Sequence, residues 1–152
     1  MNADTLHAPF YVFDLDGTLA NIDHRVYHIA NREYGKKDWR AFYAACDKDW
    51  PIRDTLRVAQ ALLATGHHVE VWSGRSAEVR DKTEAWLAAN GLHGVTIRMR
   101  AEGDHRLDTV VKAEWLAECS RKPTMVFEDR ASVVKMWRDA GILCAQVAPG
   151  EF

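Results

Sequence analysis

Two aspartates separated by one residue are the feature of this sequence that most directly suggests chemistry. Asp14 and Asp16 follow the apolar run Phe10–Phe13 and precede Gly17 and Thr18. A short apolar run that ends at a glycine-containing turn is typical of a buried central strand, and parallel sheets bind ligands at the carboxyl ends of their strands. Two carboxylates this close repel each other, so a divalent cation is their natural partner. The turn at Gly17 also lets the chain fold over a small anion.

Three further groups of polar residues follow in the chain. In order, they are Ser73-Gly74-Arg75, Lys112 and Glu128-Asp129. Each has an ordinary explanation by itself, because Ser-Gly turns, exposed helical lysines and Asx-type turns after strands are common. Ser73-Gly74-Arg75 and Glu128-Asp129 each close an apolar run, so the carboxyl edge of a parallel sheet could bring them close to Asp14 and Asp16.

The elements that must position these groups alternate between strand and helix periods. Strands are predicted at residues 10–13, 67–72, 95–99, 124–127 and 142–147. Helical spacing separates them, with Ser76 and Asp108 predicted as N-caps and Gly66, Gly91 and Gly141 as helix stops. Strands that alternate with helices imply a parallel five-stranded sheet with right-handed crossovers and helices on both faces, which is an α/β fold.

Residues 21–54 depart from this alternation. Two short helices are predicted at 25–34 and 38–46 around Gly35, and Pro51 marks the return of the chain. We interpret the segment as a small helical cap inserted over the active site. Its aromatic residues are Tyr27, Tyr34, Trp39, Phe42, Tyr43 and Trp50. Packing of the cap accounts for most of them, and we expect one or two to face the cleft, where they can stack a nucleobase.

Size and composition indicate a single domain over residues 1–152, with 47% hydrophobic residues to form its core. No run is long enough to span a membrane, and the N-terminus lacks the basic-then-apolar order of a signal peptide, so we expect a soluble, cytoplasmic protein. The net charge of −2 and the pI near 6.4 argue against a long electrostatic footprint on duplex nucleic acid. They permit a nucleotide or a strand end held in a local pocket.

Cysteine and histidine spacing gives little support for a structural metal. Cys46, Cys119 and Cys144 are odd in number and widely spaced, which favours free thiols over a disulfide framework or a zinc ribbon. His24 and His28 have the spacing of a helical metal pair, but no third ligand clusters near them in the sequence. A solvated or base-contacting role is favoured over zinc binding.

Charged residues near the third predicted strand allow two interpretations. Arg98, Arg100 and Arg106, together with His105, form either a groove that follows phosphates or a soluble edge balanced by Glu102 and Asp104. Glu70 lies inside an apolar run, so it requires a buried partner that the sequence does not identify.

With the motifs in place, a family resemblance can be stated. D-L-D-G-T at residues 14–18 resembles the nucleophile motif of the haloacid dehalogenase (HAD) superfamily of phosphotransferases, in the form found in its phosphatases. W-S-G-R at 72–75, Lys112 and F-E-D-R at 127–130 resemble the remaining motifs in the expected order. The resemblance implies a three-layer, Rossmann-like HAD-type fold and phosphomonoester hydrolysis.

The resemblance also implies a role for each motif residue. Asp14 would be the nucleophile that forms an aspartyl-phosphate, and Asp16 the acid and base, with a raised pKa. Lys112 would balance the charge on the nucleophile and the phosphoryl oxygens. The substrate phosphate would be held by Thr18, Ser73 and Gly74. Mg²⁺ would be held by Asp14, the backbone carbonyl of Asp16 and Asp129, while Glu128, which replaces the commoner aspartate, would bind through water or orient a neighbour.

A narrower resemblance points to the 3′-phosphatase domains of phage polynucleotide kinase-phosphatases. It extends through Arg25, Arg75, residues 100–112, 128–138 and 146–152. It implies that Arg25 and Arg75 contact the substrate phosphate and that the substrate is a nucleic-acid 3′-phosphate end. A nucleoside monophosphatase or small-molecule phosphatase is the alternative, and a non-catalytic phosphate-binding module is the second. No G-x-x-x-x-G-K-[ST] loop occurs, so no kinase domain is expected in this chain.

Overall fold

The computed structural model describes residues 9–30 and 35–150. The strands are β1 (Phe10–Phe13), β2 (Ala20–Asn21), β3 (Trp50–Pro51), β4 (His68–Ser76), β5 (Thr96–Arg100), β6 (Met125–Arg130) and β7 (Cys144–Gly150). The α-helices are α1 (Trp39–Ala44), α2 (Arg53–Ala64), α3 (Arg80–Ala89), α4 (Asp108–Glu118) and α5 (Ala131–Asp139). The main sheet has the order β5-β4-β1-β6-β7, and all its neighbours pair in parallel.

Strand β1 is apolar throughout because it lies in the middle of the sheet and both of its faces are covered. Phe13 packs with α2 and α3 on one face, in a cluster that includes Leu56 and Trp86. Val12 packs with α5 on the other face, where Trp137 is fully buried. Full burial of one such side chain stabilises the fold by about 1.5–3 kcal/mol. The predicted three-layer, Rossmann-like α/β architecture is therefore confirmed.

The register of the sheet aligns the carboxyl ends of three strands. Phe13, the last residue of β1, pairs with Val71 of β4 and Phe127 of β6. The residues that follow these three positions include Asp14, Ser73 and Glu128, and they lie at one edge of the sheet. The convergence expected from the motif order follows directly from this register.

The segment between β1 and α2 is closed at its base by a small antiparallel sheet. Asn21 pairs with Trp50 and Ala20 with Pro51. The sequence does not predict this β2–β3 pair, because two-residue strands leave no periodicity to detect. Within the segment, α1 begins after Asp38, whose side chain accepts a hydrogen bond from the Ala41 amide.

The first predicted helix of this segment, at residues 25–34, differs from the structure. Residues Asp23–His28 form a 3₁₀-helix, and the end of the predicted helix, at 31–34, lies outside the described residues. The Asn21 side chain accepts from the Asp23 amide at 2.9 Å, which starts the turn earlier than the apolar pattern suggests. Arg25 is buried in this turn, because its guanidinium group donates to the carboxylates of Asp16 and Asp49.

Several strands extend beyond their predicted ends. Strand β4 continues to Ser76, β6 to Arg130 and β7 to Gly150, so the polar motif residues lie inside strands that apolar patterning ended too early. Asp108 is not an N-cap. Helix α4 begins at Asp108 itself, and its carboxylate accepts hydrogen bonds from arginines instead of capping the helix.

Two further sequence expectations can be compared with the structure. All three cysteines are free, as predicted. Among the described helices, none combines the length and the apolar character that a bilayer-spanning segment needs.

Candidate active site

Three buried carboxylates meet at the carboxyl edge of the sheet. Asp14 follows β1, and Glu128 and Asp129 lie near the end of β6. Each offers one oxygen in a group whose atoms lie within 4.8 Å of one another. The Asp14 amide donates to the Phe127 carbonyl at 2.9 Å, which ties the nucleophile loop to β6. Two neighbouring strands of one sheet therefore bring these acids together.

A single ammonium group opposes the three acids. Lys112 of α4 donates to Asp14 Oδ1 at 2.6 Å and to Glu128 Oε2 at 2.8 Å. We call Asp14, Lys112, Glu128 and Asp129 the acid-rich cluster. Three carboxylates against one ammonium leave a formal charge of −2 when all four groups are ionised.

The excess of acid shifts the pKa values within the acid-rich cluster. Burial, together with the charge of Glu128, raises the pKa of Asp14 well above its usual value. Burial and Glu128 also raise the pKa of Asp129, to about 7. Burial alone would lower the pKa of Lys112, but the charges of Asp14 and Glu128 outweigh it and raise that pKa, so Lys112 stays protonated.

A divalent cation fits the acid-rich cluster. Its donors are hard carboxylate oxygens that converge within coordination range. The uncompensated charge of −2 would be balanced by the charge of +2 on the cation. Glu128 has other partners, because its Oε2 accepts from Lys112 and its Oε1 accepts from the Asp129 and Arg130 amides. These contacts place Glu128 to orient Lys112. Asp14, whose Oδ1 also accepts from Lys112, and Asp129 stay the predicted direct ligands of an ion.

The turn after Asp14 approaches the acid-rich cluster closely. Gly17 has a φ of +84°, and a Cβ at this position would collide with the carboxylate of Asp129. Only glycine combines this conformation with this clearance. Thr18 is fully buried and donates its hydroxyl to Asp14 Oδ2 at 3.3 Å. The D-x-D-G-T spacing is therefore explained by contacts on both sides of the turn.

Asp16 belongs to a second group of charges, which involves a residue that the sequence analysis missed. Arg25 Nη2 donates to Asp16 Oδ1 at 2.9 Å, and Arg75 Nε donates to the same oxygen at 2.8 Å. Both guanidinium groups also donate to Asp49, at 2.7 Å from Arg25 and 2.5 Å from Arg75. We call Asp16, Arg25, Asp49 and Arg75 the balanced cluster, because two carboxylates face two guanidinium groups.

Asp49 holds the centre of the balanced cluster. Its side chain is fully buried, as are those of both arginines. His24 Nε2 lies 2.8 Å from Asp49 Oδ1, so His24 faces this carboxylate and not a metal shared with His28. The indole N–H of Trp86 donates to the Asp49 carbonyl at 2.8 Å, which fixes the backbone at the end of the inserted segment. An isolated aspartate before a tryptophan and a proline carries no motif, which explains why the sequence analysis missed it.

The balanced cluster lowers the pKa of Asp16. Burial alone would raise this pKa, but the charges of Arg75 and Arg25 outweigh it. The sequence analysis predicts a raised pKa for Asp16, and the structure gives the opposite direction. The two fully buried guanidinium groups that touch its carboxylate are the physical reason.

The predicted phosphate-binding residues occupy different positions relative to the open cleft. Gly74 lines the cleft, and a Cβ on it would lie 2.6 Å from the Asp108 carboxylate. The Ser73 hydroxyl is 1% exposed and accepts from the Arg75 amide at 3.2 Å. Arg25 and Arg75 lie behind Asp16, turned towards Asp49. Their contact with a substrate phosphate stays a prediction.

The cleft above the acids has a volume of about 590 Å³. Its floor includes Asp14, Asp16, Glu128 and Asp129, and its walls come from the inserted segment and from residues 100–108. Such a volume is in the usual range for small-molecule sites. Both nucleophile-loop aspartates are thus reachable from solvent through one opening.

The wall formed by residues 100–108 is held together by ion pairs that the sequence analysis did not identify. Arg100 donates to the carbonyls of Gly74 and Arg106 and to the Asp108 carboxylate. Asp108 also accepts from Arg130 at 3.0 Å. Arg106 pairs with Asp104 and Glu114, and Arg98 pairs with Glu118. The predicted basic patch is balanced by acids, as its second interpretation expects, but the partners include Asp108, Glu114 and Glu118. Arg100 is also buried, so the patch is not a solvated edge throughout.

Glu70 also finds its partner in the fold. Its carboxylate accepts from the Trp72 indole N–H at 2.7 Å and lies 3.0 Å from His68 Nε2. A partly buried polar side chain with such partners carries little desolvation cost. Glu70 is therefore explained by structure without a functional role.

With this geometry described, comparison with known proteins decides the family. Residues 8–152 match the family described as the polynucleotide kinase PNKP phosphatase domain, of HAD type. The chain belongs to this family. It is a HAD-type phosphatase domain, as the order of its motifs predicts.

Solved structures agree with this assignment. The chain is similar to a chain in a structure described as the Pnkp1/Rnl/Hen1 RNA repair complex, with 27% identity and a TM-score of 0.78 over 96% of this chain. It spans only 44% of that longer chain. A class C acid phosphatase from Bacillus anthracis has 17% identity and a TM-score of 0.60, over 91% of this chain and 62% of its own. A haloacid dehalogenase-like hydrolase from Streptococcus pneumoniae has 13% identity and a TM-score of 0.59, over 91% and 84%. The last two likenesses show the shared fold.

Proposed function

We propose that this phosphatase removes a 3′-phosphate from a nucleic-acid end through an aspartyl-phosphate on Asp14, with Mg²⁺ as cofactor. The observation that carries the proposal is the buried Asp14 carboxylate, held 2.6 Å from Lys112 and within metal-binding range of Glu128 and Asp129 at the floor of an open cleft. Membership of the polynucleotide kinase-phosphatase family supports the choice of substrate.

The first half-reaction uses both loop aspartates. A carboxylate oxygen of Asp14 attacks phosphorus in line, the bond from phosphorus to the 3′ oxygen breaks, and Asp16 gives its proton to that oxygen. The arginines lower the pKa of Asp16, so it must gain this proton when substrate binds. A phosphate dianion placed beside Asp16 adds negative charge, which raises the pKa and favours the protonated acid.

The second half-reaction reverses the roles. Asp16, now ionised, accepts a proton from water as the water oxygen attacks phosphorus, and the Asp14 carboxylate and inorganic phosphate are released. The low pKa set by Arg25 and Arg75 keeps Asp16 ionised, and therefore free to accept the proton, until the water attacks.

The acid-rich cluster prepares Asp14 for attack. Its raised pKa means that a proton competes with the ionised nucleophile, and Lys112 only partly offsets this. Mg²⁺ held by Asp14 and Asp129 would supply the missing positive charge and neutralise phosphoryl oxygens. Lys112 stays protonated and keeps Asp14 Oδ1 oriented.

The test of the proposal compares substrates and removes the metal. Wild-type protein is incubated with a 3′-phosphorylated oligonucleotide, a panel of nucleoside monophosphates and p-nitrophenyl phosphate, with Mg²⁺ or with EDTA, and released phosphate is measured. We expect Mg²⁺-dependent release with the highest kcat/KM for the oligonucleotide. Release from the nucleoside monophosphates alone would reject the 3′-end assignment. Absence of Mg²⁺-stimulated hydrolysis of every substrate would instead indicate a phosphate-binding module.

The covalent step needs a separate measurement. Denaturing the enzyme rapidly during turnover of a ³²P-labelled substrate should trap acid-stable label on the peptide that contains Asp14. Asp14→Asn should carry no label, and label on any other residue would reject the assignment of the nucleophile.

A further inference from the structure

The mouth of the cleft has an aromatic side chain that the catalytic steps do not use. Trp39, at the start of α1, lines the cleft and remains 41% exposed. Leu107 lines the opposite wall and is 72% exposed. Large apolar side chains that stay exposed at the entrance of a polar cleft are suited to contact with a flat, partly apolar ligand.

Trp39 is braced for such a contact. Its ring stacks on Tyr43, with centroids 5.9 Å apart and planes at 28°. Phe42, which is buried, meets it edge-on at 5.7 Å. The Tyr43 hydroxyl donates to the Gly74 carbonyl at 3.3 Å, which links this aromatic group to the strand that carries the catalytic motif. An aromatic ring fixed in advance loses little side-chain entropy when a base stacks on it.

Two cations line the cleft on the same stretch of chain as this ring. Lys37 and Arg40 are exposed and line the cleft, and Lys37 Nζ lies 5.7 Å from the centre of the Trp39 ring. Neither forms an ion pair with an acid in the described part of the chain. The other arginines of the cleft differ, since Arg100, Arg106 and Arg130 are each paired with an acid.

We propose that Lys37, Trp39 and Arg40 form a subsite for the strand next to the scissile phosphate, with a nucleobase on Trp39 and a phosphodiester facing the two cations. This inference rests on the proposed function and names the part of the substrate that sets its specificity. A combination of aromatic platform and cations is how single-stranded nucleic acid is held without sequence preference. A nucleoside 3′-monophosphate offers the base but not the phosphodiester.

The experiment measures kcat/KM for three substrates: a 3′-phosphorylated oligonucleotide, the corresponding nucleoside 3′-monophosphate and p-nitrophenyl phosphate. Trp39→Ala should lower kcat/KM for the oligonucleotide and the nucleotide about tenfold more than for the aryl phosphate. Trp39→Phe should keep most of the kcat/KM that Trp39→Ala loses on these two substrates. Trp50→Ala is the matched control, since Trp50 is another exposed tryptophan of the same segment but does not line the cleft.

The cations are tested by a double variant. Lys37→Ala combined with Arg40→Ala should lower kcat/KM for the oligonucleotide more than for the nucleotide. It should also reduce the slope of log kcat/KM against log salt by about 1.4 for two phosphate-facing cations. The salt slope for p-nitrophenyl phosphate is measured as the reference.

The results separate failure of the subsite from failure of the proposed function. Equal losses of kcat/KM on all three substrates, or no loss in Trp39→Ala, would overturn the subsite. The proposed function would still stand in that case if the wild type hydrolyses the oligonucleotide. A wild type that hydrolyses p-nitrophenyl phosphate but neither nucleic-acid substrate would overturn both.

Discussion

The two aspartates of the nucleophile loop are separated by one residue but belong to groups that differ in charge balance. Asp14 is part of the acid-rich cluster, where three carboxylates share Lys112. Asp16 is part of the balanced cluster, where Arg25 and Arg75 meet two carboxylates. The pKa of Asp14 is therefore raised, whereas the pKa of Asp16 is lowered.

The difference shows which half of the site depends on an external charge. The balanced cluster is complete within the protein, because every carboxylate oxygen that is buried there faces a guanidinium group or His24. The acid-rich cluster becomes neutral only with a divalent cation or with bound protons. Removal of an acid should accordingly act differently in the two clusters.

The largest effect is expected from Asp14→Asn. An amide cannot form the phosphoenzyme, so turnover should fall about 10⁴-fold or more. The substitution also removes one of the repelling acids, so the fold should survive and the metal-free protein should melt at the same or a higher temperature. Phosphate release and a thermal melt on the same sample check both points. Retained turnover would exclude the covalent mechanism.

Asp129→Asn should produce the next largest loss and should act through the metal. Loss of a direct ligand should lower kcat/KM about 100-fold or more, since loss of groups that merely orient ligands already costs 10- to 100-fold. The half-saturating Mg²⁺ concentration should rise, and Mg²⁺ should no longer raise the melting temperature. A variant with unchanged Mg²⁺ dependence would place the ion elsewhere.

Asp49→Asn tests the balanced cluster. An amide in place of this carboxylate leaves two buried guanidinium groups with one acid, which should destabilise the fold by about 3–5 kcal/mol. Asp16 should lose its fixed position, and kcat should fall by up to about 100-fold while KM for p-nitrophenyl phosphate changes little. Stability is followed by urea unfolding, and kcat and KM by steady-state assay at a temperature where the variant is folded.

Two measurements distinguish positioning by Asp49 from a general loss of structure. The pKa of Asp16 in the pH–rate profile should move lower, because the arginines lose their other acid. The Mg²⁺ requirement should not change, in contrast to Asp129→Asn. Asp47→Asn is the control, since Asp47 is a nearby exposed acid of the same segment. An unshifted pH–rate profile in Asp49→Asn would show that Asp49 has a purely structural role.

This contrast also shows how far the sequence can predict the site. The sheet, its helices and the Asp14–Asp16 pair follow from local patterns, because an apolar strand and a glycine turn depend on neighbouring residues. Asp49 and Asp108 act through partners 24 and 22 residues away, Arg25 and Arg130, and no local pattern marks such contacts. The pKa of Asp16 was predicted in the wrong direction for the same reason, since it depends on a fold that buries Arg25 and Arg75 together.

The smallest effect, and the finest test of the comparison, is the pH dependence of stability. Because the pKa of Asp129 is raised to about 7 in the folded protein, folding favours its protonated form. The resulting stabilisation is complete below the unfolded pKa near 4 and is lost as the pH rises through about 7. The metal-free protein should therefore lose about 2–4 kcal/mol of unfolding free energy between pH 4 and pH 8 from this source.

Variants of the two clusters show whether this pH-dependent loss of stability arises in the acid-rich cluster. Glu128 and Asp14 face Asp129 and add to the repulsion, while Arg130 opposes it. Urea unfolding across this pH range should show a smaller decline with Mg²⁺, which favours the ionised acids, and a smaller decline in metal-free Asp129→Asn. Asp49→Asn should keep most of the wild-type decline without metal, because this substitution leaves Asp14, Lys112, Glu128 and Asp129 in place. If the decline in stability with pH persisted in Asp129→Asn but vanished in Asp49→Asn, the uncompensated charge would lie beside Asp16 and not in the acid-rich cluster.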